Sequence, residues 1–268
     1  MAPINRPALR YHGGKFRLAT WLMKMFPAHE TYIEPFGGGA GVLLRKPRSH
    51  LEVYNDLDGD VVTFFRVLQD PALRDRLAER LAFTPFARAE FDRAYEPTVD
   101  PLERAARVAV RSWMGYGSAG AQKSTTGFRM SAKDVHLWSR LPDVIAEVGE
   151  RFEGVLIENR QAIDVMLHHD SPQALHYVDP PYLFATRDRA SKHIHRYYRH
   201  EMSDWEHEQL CACLRNLKGM VVLSGYDSAL YHHELKGWHT RSHDTVGGSN
   251  RGSVARTEVV WLNPACAA

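Results

Sequence analysis

Short apolar runs alternate along this chain with stretches of helical periodicity. Five runs end on turn-forming or acidic residues: "TYIEPF" (31–36), "LEVYND" (51–56), "GVLIEN" (154–159), "LHYVDPP" (175–181) and "GMVVLSGYD" (219–227). Each predicts a buried strand. Helical patterns fill "KFRLATWLMKMF" (15–26), "GDVVTFFRVLQ" (59–69), "AIDVMLHH" (162–169) and "SDWEHEQLCACLRNLK" (203–218). The last opens on a Ser203 cap and an acidic first turn. Such alternation predicts an open, mostly parallel α/β sheet. The C-terminal pattern differs, with "HTRSHDTV" (239–246) and "RTEVVWLN" (256–263) flanking a glycine-rich turn. They predict an antiparallel hairpin closing one sheet edge.

One interval breaks the rhythm. A strand–helix–strand unit takes roughly thirty residues, yet about a hundred separate the second and third strands. The excess is helical in pattern: "ALRDRLAERLA", "RAEFDRAY", "LERAARVAVRSWM" and "SAKDVHLWSRLPDVIAEV", with "GYGSAGAQKSTTGFR" reading as a loop. Residues 1–70 and 151–268 therefore read as two parts of one α/β domain, and 71–150 as an inserted helical subdomain.

Composition narrows the setting. The 268 residues carry a formal charge of +2, too little for a general polyanion binder. Cysteines 211, 213 and 266 form neither a disulfide ladder nor a zinc-type pair, which predicts a reducing, cytoplasmic setting. No apolar run approaches membrane-spanning length. Histidines at 168–169, 193, 195 and 232–233 lack ligand spacing, so no metal is expected.

Two stretches carry candidate chemistry. "YIEPFGGGAGVLL" (32–44) reads as a strand, a glycine turn and a helix start, where a ligand can approach the backbone. It fits neither GxGxxG nor a phosphate loop. Glu34 and Pro35 ahead of the turn suit a ligand with a positive or donor-rich group, such as an amino acid moiety. Twenty-two residues beyond Glu34, "VYNDLD" sets Asp56 at the end of the second strand, where a carboxylate accepts ribose hydroxyls. A ribose plus an amino acid part fits S-adenosylmethionine.

The second stretch is "YVDPPY", ending at Tyr182. Two prolines make a rigid corner as a strand leaves the sheet. Asp179 and the Pro180 carbonyl can accept the two N–H bonds of an exocyclic amine, stabilising the charge that grows on nitrogen as it attacks a methyl carbon. Pro180 and Pro181 fix the acceptors, and Tyr182 can stack on a base taken out of a duplex.

With these motifs in place, the sequence resembles the Dam-type DNA adenine N6-methyltransferases, a family often carried by bacteriophages. The resemblance runs from "RYHGGK" through "IEPFGGGAG", "VYNDLD" and "YVDPPY" to "LSGYDS" and "RTEVVWLN". It implies a Rossmann-like sheet of seven strands, one antiparallel, with a target-recognition insertion. It also implies S-adenosylmethionine as cofactor and duplex DNA as partner; the enzyme is expected to be monomer-capable, with a dimer on DNA as the alternative. By position, Tyr11 and Lys15 would flank the cofactor's methionine end, Phe36, Gly38 and Gly39 would form the turn beneath it, and Asp56 with Leu57 would hold the nucleoside. Glu158 and Asn159 are candidates for its adenine. Asp179 to Tyr182 would carry the reaction. Ala40 and Gln161 depart from the family pattern, where glycine and an acid are expected.

Residues 104–140 hold seven basic side chains against Asp134 alone, and 185–200 hold five against Asp188. Both flank the corner and suit phosphate contact. Arg111, Lys123, Arg129, Arg187, Arg189 and Lys192 are the expected DNA contacts. An RNA adenine or a protein glutamine amide is the alternative acceptor on the same corner. A non-catalytic DNA-binding relative is a further alternative.

Overall fold

A computed structural model describes residues 4–116, 126–187, 198–249 and 252–267. Seven strands form one sheet: β1 (Thr31–Glu34), β2 (Leu51–Asn55), β3 (Leu156–Glu158), β4 (Ala174–Val178), β5 (Met220–Tyr226), β6 (His239–Ser249) and β7 (Gly252–Leu262). Their order is β3-β2-β1-β4-β5-β7-β6. β7 runs antiparallel to both neighbours and every other pairing is parallel. This is a Rossmann-like sheet with an antiparallel hairpin at one edge. β4 is buried along its whole length, as a central strand covered on both faces must be.

The chain leaves β1 toward β2 on one side, and β4 flanks β1 on the other. The order therefore reverses between β1 and β4, and ligands of open α/β sheets bind in the crevice at such a switch point. Both chemical stretches end there: Glu34 closes β1, and Asp179 follows β4.

The helices are α1 (Ala19–Leu22), α2 (Gly59–Gln69), α3 (Pro71–Ala82), α4 (Arg88–Arg93), α5 (Pro101–Met114), α6 (Ala132–Ser139), α7 (Leu141–Phe152), α8 (Ala162–His169), α9 (Asp204–Asn216) and α10 (Ala229–Glu234). Asp58, Asp70 and Asp100 cap α2, α3 and α5, with proline in the first turn of the last two. Ser203 and Glu206 form the reciprocal capping box of α9. Helices α3 to α7 fill the long interval between β2 and β3. Their inner faces share one core with α2, in which the Phe65 and Phe152 rings stack at 4.4 Å.

Three expectations are corrected. Residues 15–26 give only α1 and a single 3-10 turn at Met23–Met25. No side chain caps this start, and Pro27 follows its end closely. The stretch 131–148 divides into α6 and α7 at Arg140, because Pro142 in the first turn of α7 has no N–H to continue a helix. After the glycine turn, 35–46 stays a run of turns, although Leu44 N–H to Ala40 O and Lys46 N–H to Val42 O reproduce helical spacing.

Candidate active site

A pocket of about 750 Å³ opens at the switch point. Its floor is the turn after β1. Gly37 has no room for a side chain, since a Cβ would lie 2.1 Å from the Tyr54 ring. Tyr54 donates its hydroxyl to Gly38 O at 2.7 Å. Gly38 has φ +46, and a Cβ there would meet the Tyr11 ring at 2.8 Å. The turn is thus held between two tyrosines, leaving its backbone bare toward the pocket. Glu34 is 2% exposed and accepts from Tyr32 Oη at 2.8 Å and Leu43 N at 3.0 Å. Burial pushes its carboxyl up to about 8 against those bonds.

Asp56 sits across the turn. Its Oδ2 accepts Gly38 N at 2.8 Å and its Oδ1 accepts Asp58 N at 2.7 Å. Burial raises it to about 6, opposed by these amides. A carboxylate has further lone pairs beyond two amides. Leu57 beside it is partly exposed and lines the pocket with Tyr11, Lys15, Pro35, Phe36 and Gly39. Asn159 stands one step outside and donates to Asp56 O at 2.7 Å, so it supports the Asp56 loop. Glu158, at the end of β3, is also outside the pocket lining and lies 3.9 Å from His169 Nε2.

The corner after β4 closes the far end. Asp179 and Pro181 line the pocket, while Pro180, buried, and Tyr182, half-buried, stand beside them outside its lining. Both Asp179 oxygens lie 2.9 Å from Lys15 Nζ, which also donates to Gly13 O at 2.8 Å. The Lys15 ammonium is therefore committed to the corner. Burial raises Asp179 to about 6; Lys15 works against that rise and Glu258 adds to it. For Lys15, burial acts downward, but Asp179 and Glu258 outweigh it and hold it above the ordinary lysine value. Tyr182 donates to Glu258 Oε1, lies 4.8 Å under Lys15 Nζ, and meets Tyr226 edge-on at 4.5 Å.

Several lining residues escape a motif reading. Asn55 donates to Pro35 O at 2.8 Å and Arg160 O at 3.0 Å, joining the ends of β1 and β3. Its place in "VYNDLD" was the available signal. Tyr198, Arg199 and Glu201 form part of the pocket wall, and Arg199 Nη1 pairs with Asp58 at 3.2 Å and with Asp60. Gln161, the departure noted above, is exposed on the pocket rim before α8.

The expected DNA contacts fare unevenly. Arg111 is 6% exposed and held by Asp60 at 3.0 Å and Ala94 O at 2.6 Å. Arg187 is equally buried, with its guanidinium on Glu201. Both are interior and held by carboxylates and carbonyls, with Arg111 Nε alone left without a hydrogen-bond partner among the described residues, so neither is presented for phosphate contact. Arg129 is partly exposed, donates to Gly115 O at 2.7 Å and stands over the Tyr116 ring. Lys123, Arg189 and Lys192 lie outside the described residues. Among the described residues no group of three or more His, Cys, Asp or Glu is placed to hold a metal ion. Nor is any helix among them long and apolar enough to cross a membrane.

Comparison with known proteins gives one family. A model described as D12 class N6 adenine-specific DNA methyltransferase matches residues 11–244. No curated protein matches the chain. Among solved structures, precorrin 8w decarboxylase of Methanobacterium thermoautotrophicum is 8% identical over 92% of this chain and 88% of that one, with a TM-score of 0.38.

Proposed function

We propose, from the premise that the chain belongs to the D12 class N6 adenine-specific DNA methyltransferase family, that it methylates N6 of an adenine flipped out of duplex DNA. The donor we assign is S-adenosylmethionine, whose sulfonium supplies the methyl group. The observation that carries this reading is the placement of Asp56, the bare glycine turn and Asp179 around one pocket of about 750 Å³, a volume suited to a nucleoside with an amino acid tail.

Within that pocket, Asp56 is placed for the ribose hydroxyls and Glu34 for the ammonium group. Tyr11 and Leu57 supply apolar walls. Asp179 accepts one N–H of the target amine and the Pro180 carbonyl the other, so both acceptors follow the nitrogen as it becomes positive. The two prolines keep them at fixed separation. The proton released after transfer leaves from a nitrogen that has become acidic, so no strong base is required. Tyr182 offers its ring to the flipped base. Helices α3 to α7, with the loop before α6, are the target-recognition part.

Tritiated methyl transfer to duplex DNA, RNA and protein tests the reading. Incorporation into duplex DNA is expected for the wild type, with none for a folded Asp179→Ala variant. Methylation of RNA or protein alone, or full activity in that variant, would refute it.

A further inference from the structure

The corner contains one more charge than the reaction described above uses. Lys15, Asp179 and Glu258 lie together with side-chain exposures of 5%, 16% and 5%. Lys15 Nζ sits 2.9 Å from both Asp179 oxygens, the same oxygens that must accept an amine N–H. Each oxygen keeps a further lone pair, so an incoming amino group competes with Lys15 for Asp179 and gains the stronger acceptor where Lys15 gives one oxygen up. An ammonium buried this deeply needs a counter-charge beside it, because an unpaired ion out of water is strongly disfavoured.

Glu258 is where the ammonium can go. Its Oε1 stands 3.7 Å from Lys15 Nζ, just beyond hydrogen-bond reach. Ser224 Oγ at 2.7 Å and the Tyr182 hydroxyl hold that oxygen in place from β5 and the corner. We infer that Glu258 is a positioning residue for methyl transfer, taking over the Lys15 ammonium when Asp179 turns an oxygen to the substrate amine. This rests on the function proposed above. The exchange moves hydrogen bonds and no proton, for Lys15 stays charged on either partner.

The other groups facing Asp179 leave this pair in control near pH 6. Tyr177, Tyr182, Tyr198 and Tyr231 are pushed far up by burial and stay neutral. Glu34, raised by burial to about 8, is protonated there. Lys15 and Glu258 are then the charges that set Asp179.

Glu258→Gln tests the inference, since it keeps the shape and an acceptor for Ser224 and Tyr182 while removing the charge. Two readouts are measured: the pH profiles of kcat and kcat/KM for DNA methylation, and the 13C titration of the Asp179 carboxyl in the free protein, assigned with Asp179→Asn. Asp179 must be ionised to accept, so activity rises with pH through its pKa. Without the Glu258 charge, the acid limb and the titration should both move to lower pH. At the alkaline plateau kcat should fall roughly tenfold or more, the weight of one charge-assisted hydrogen bond. Glu258→Asp serves as the second variant: it retains the charge, so the limb stays near its wild-type pH, but it lengthens the handover and kcat falls. An undiminished kcat in either variant, or an unmoved Asp179 titration in Glu258→Gln, overturns the inference. A wild type that leaves DNA unmethylated would instead refute the proposed function, and the titration, which needs no turnover, would still decide the role of Glu258.

Discussion

At the scale of single residues, Ala40 shows how the chain tolerates a departure from its family. It has φ +55 and is fully buried. A left-handed backbone costs an L-residue roughly 1–2 kcal/mol. Burying a methyl returns about 0.8 kcal/mol, and glycine would add about 0.5–1 kcal/mol of unfolded-chain entropy. These terms nearly cancel. Ala40→Gly should therefore change the melting temperature by no more than about 2–4 °C, the equivalent of 1 kcal/mol in a chain of this size. A larger gain in calorimetry would mean that the strain at Ala40 goes uncompensated. Residue chemistry was legible in the sequence where a motif is contiguous. Asp179 and Asp56 stand at strand ends beside prolines or glycines, and a strand end fixes where a side chain can act. Lys15 was legible as a site residue but not in its partner, because it meets Asp179 across 164 residues. Nothing local marks Glu258 either, which reaches the corner through the register of β7 on β5.

At the scale of elements, the pattern located all seven strands among the described residues. β1, β2, β4 and β5 are buried runs with bounded ends, whereas β3, expected to be buried, is a sheet edge with Leu156 exposed, and β6 is the exposed edge opposite. Helices α2 and α8 match their patterns from end to end. The misses have local causes: Pro142 splits one pattern, and the 15–26 segment spends its start carrying Lys15 to the corner instead of winding a helix. What periodicity could not show is how helices α3 to α7 dock. Glu52 on β2 takes Arg151 of α7 at 2.6 Å and Lys46 at 2.7 Å, all of them buried. Arg151 also donates to Leu43 O at 2.7 Å, so α7 is tied to the run of turns below the pocket. Breaking such a group leaves buried cations unpaired and costs about 3–5 kcal/mol. Glu52→Gln should lose stability of that order in urea unfolding at pH 7. Burial raises the Glu52 carboxyl, but Arg151 and Lys46 outweigh it and hold it below its ordinary value. Its contribution is thus present above the unfolded-state pKa and lost as pH falls through the folded one. The gap between variant and wild type should close in strong acid. A gap that persists there would assign the loss to packing rather than charge.

At the scale of the whole molecule, a second carboxylate joins the parts that must act together. Asp60, in the first turn of α2, takes Arg104 at 2.5 Å and Arg111 at 3.0 Å from α5, and Arg199 from the segment that walls the pocket. Burial opposes its charge, but Arg199 and Arg104 outweigh it and depress its pKa. Helix α5 and the pocket wall therefore share an anchor, and Arg111, expected from the sequence to contact DNA, helps build it. Asp60→Asn should loosen the 198–202 wall and weaken S-adenosylmethionine binding in calorimetry. Arg199 keeps Asp58 as a second partner at 3.2 Å, so the loss should be a few-fold, about 1 kcal/mol, rather than complete. Arg104→Ala removes only a half-exposed arm on the α5 side and leaves Arg199 in place. It should bind the cofactor like the wild type. Equal weakening in both variants would show that the effect comes from general destabilisation. A loss confined to Asp60→Asn would show that the pocket wall is held through this one carboxylate.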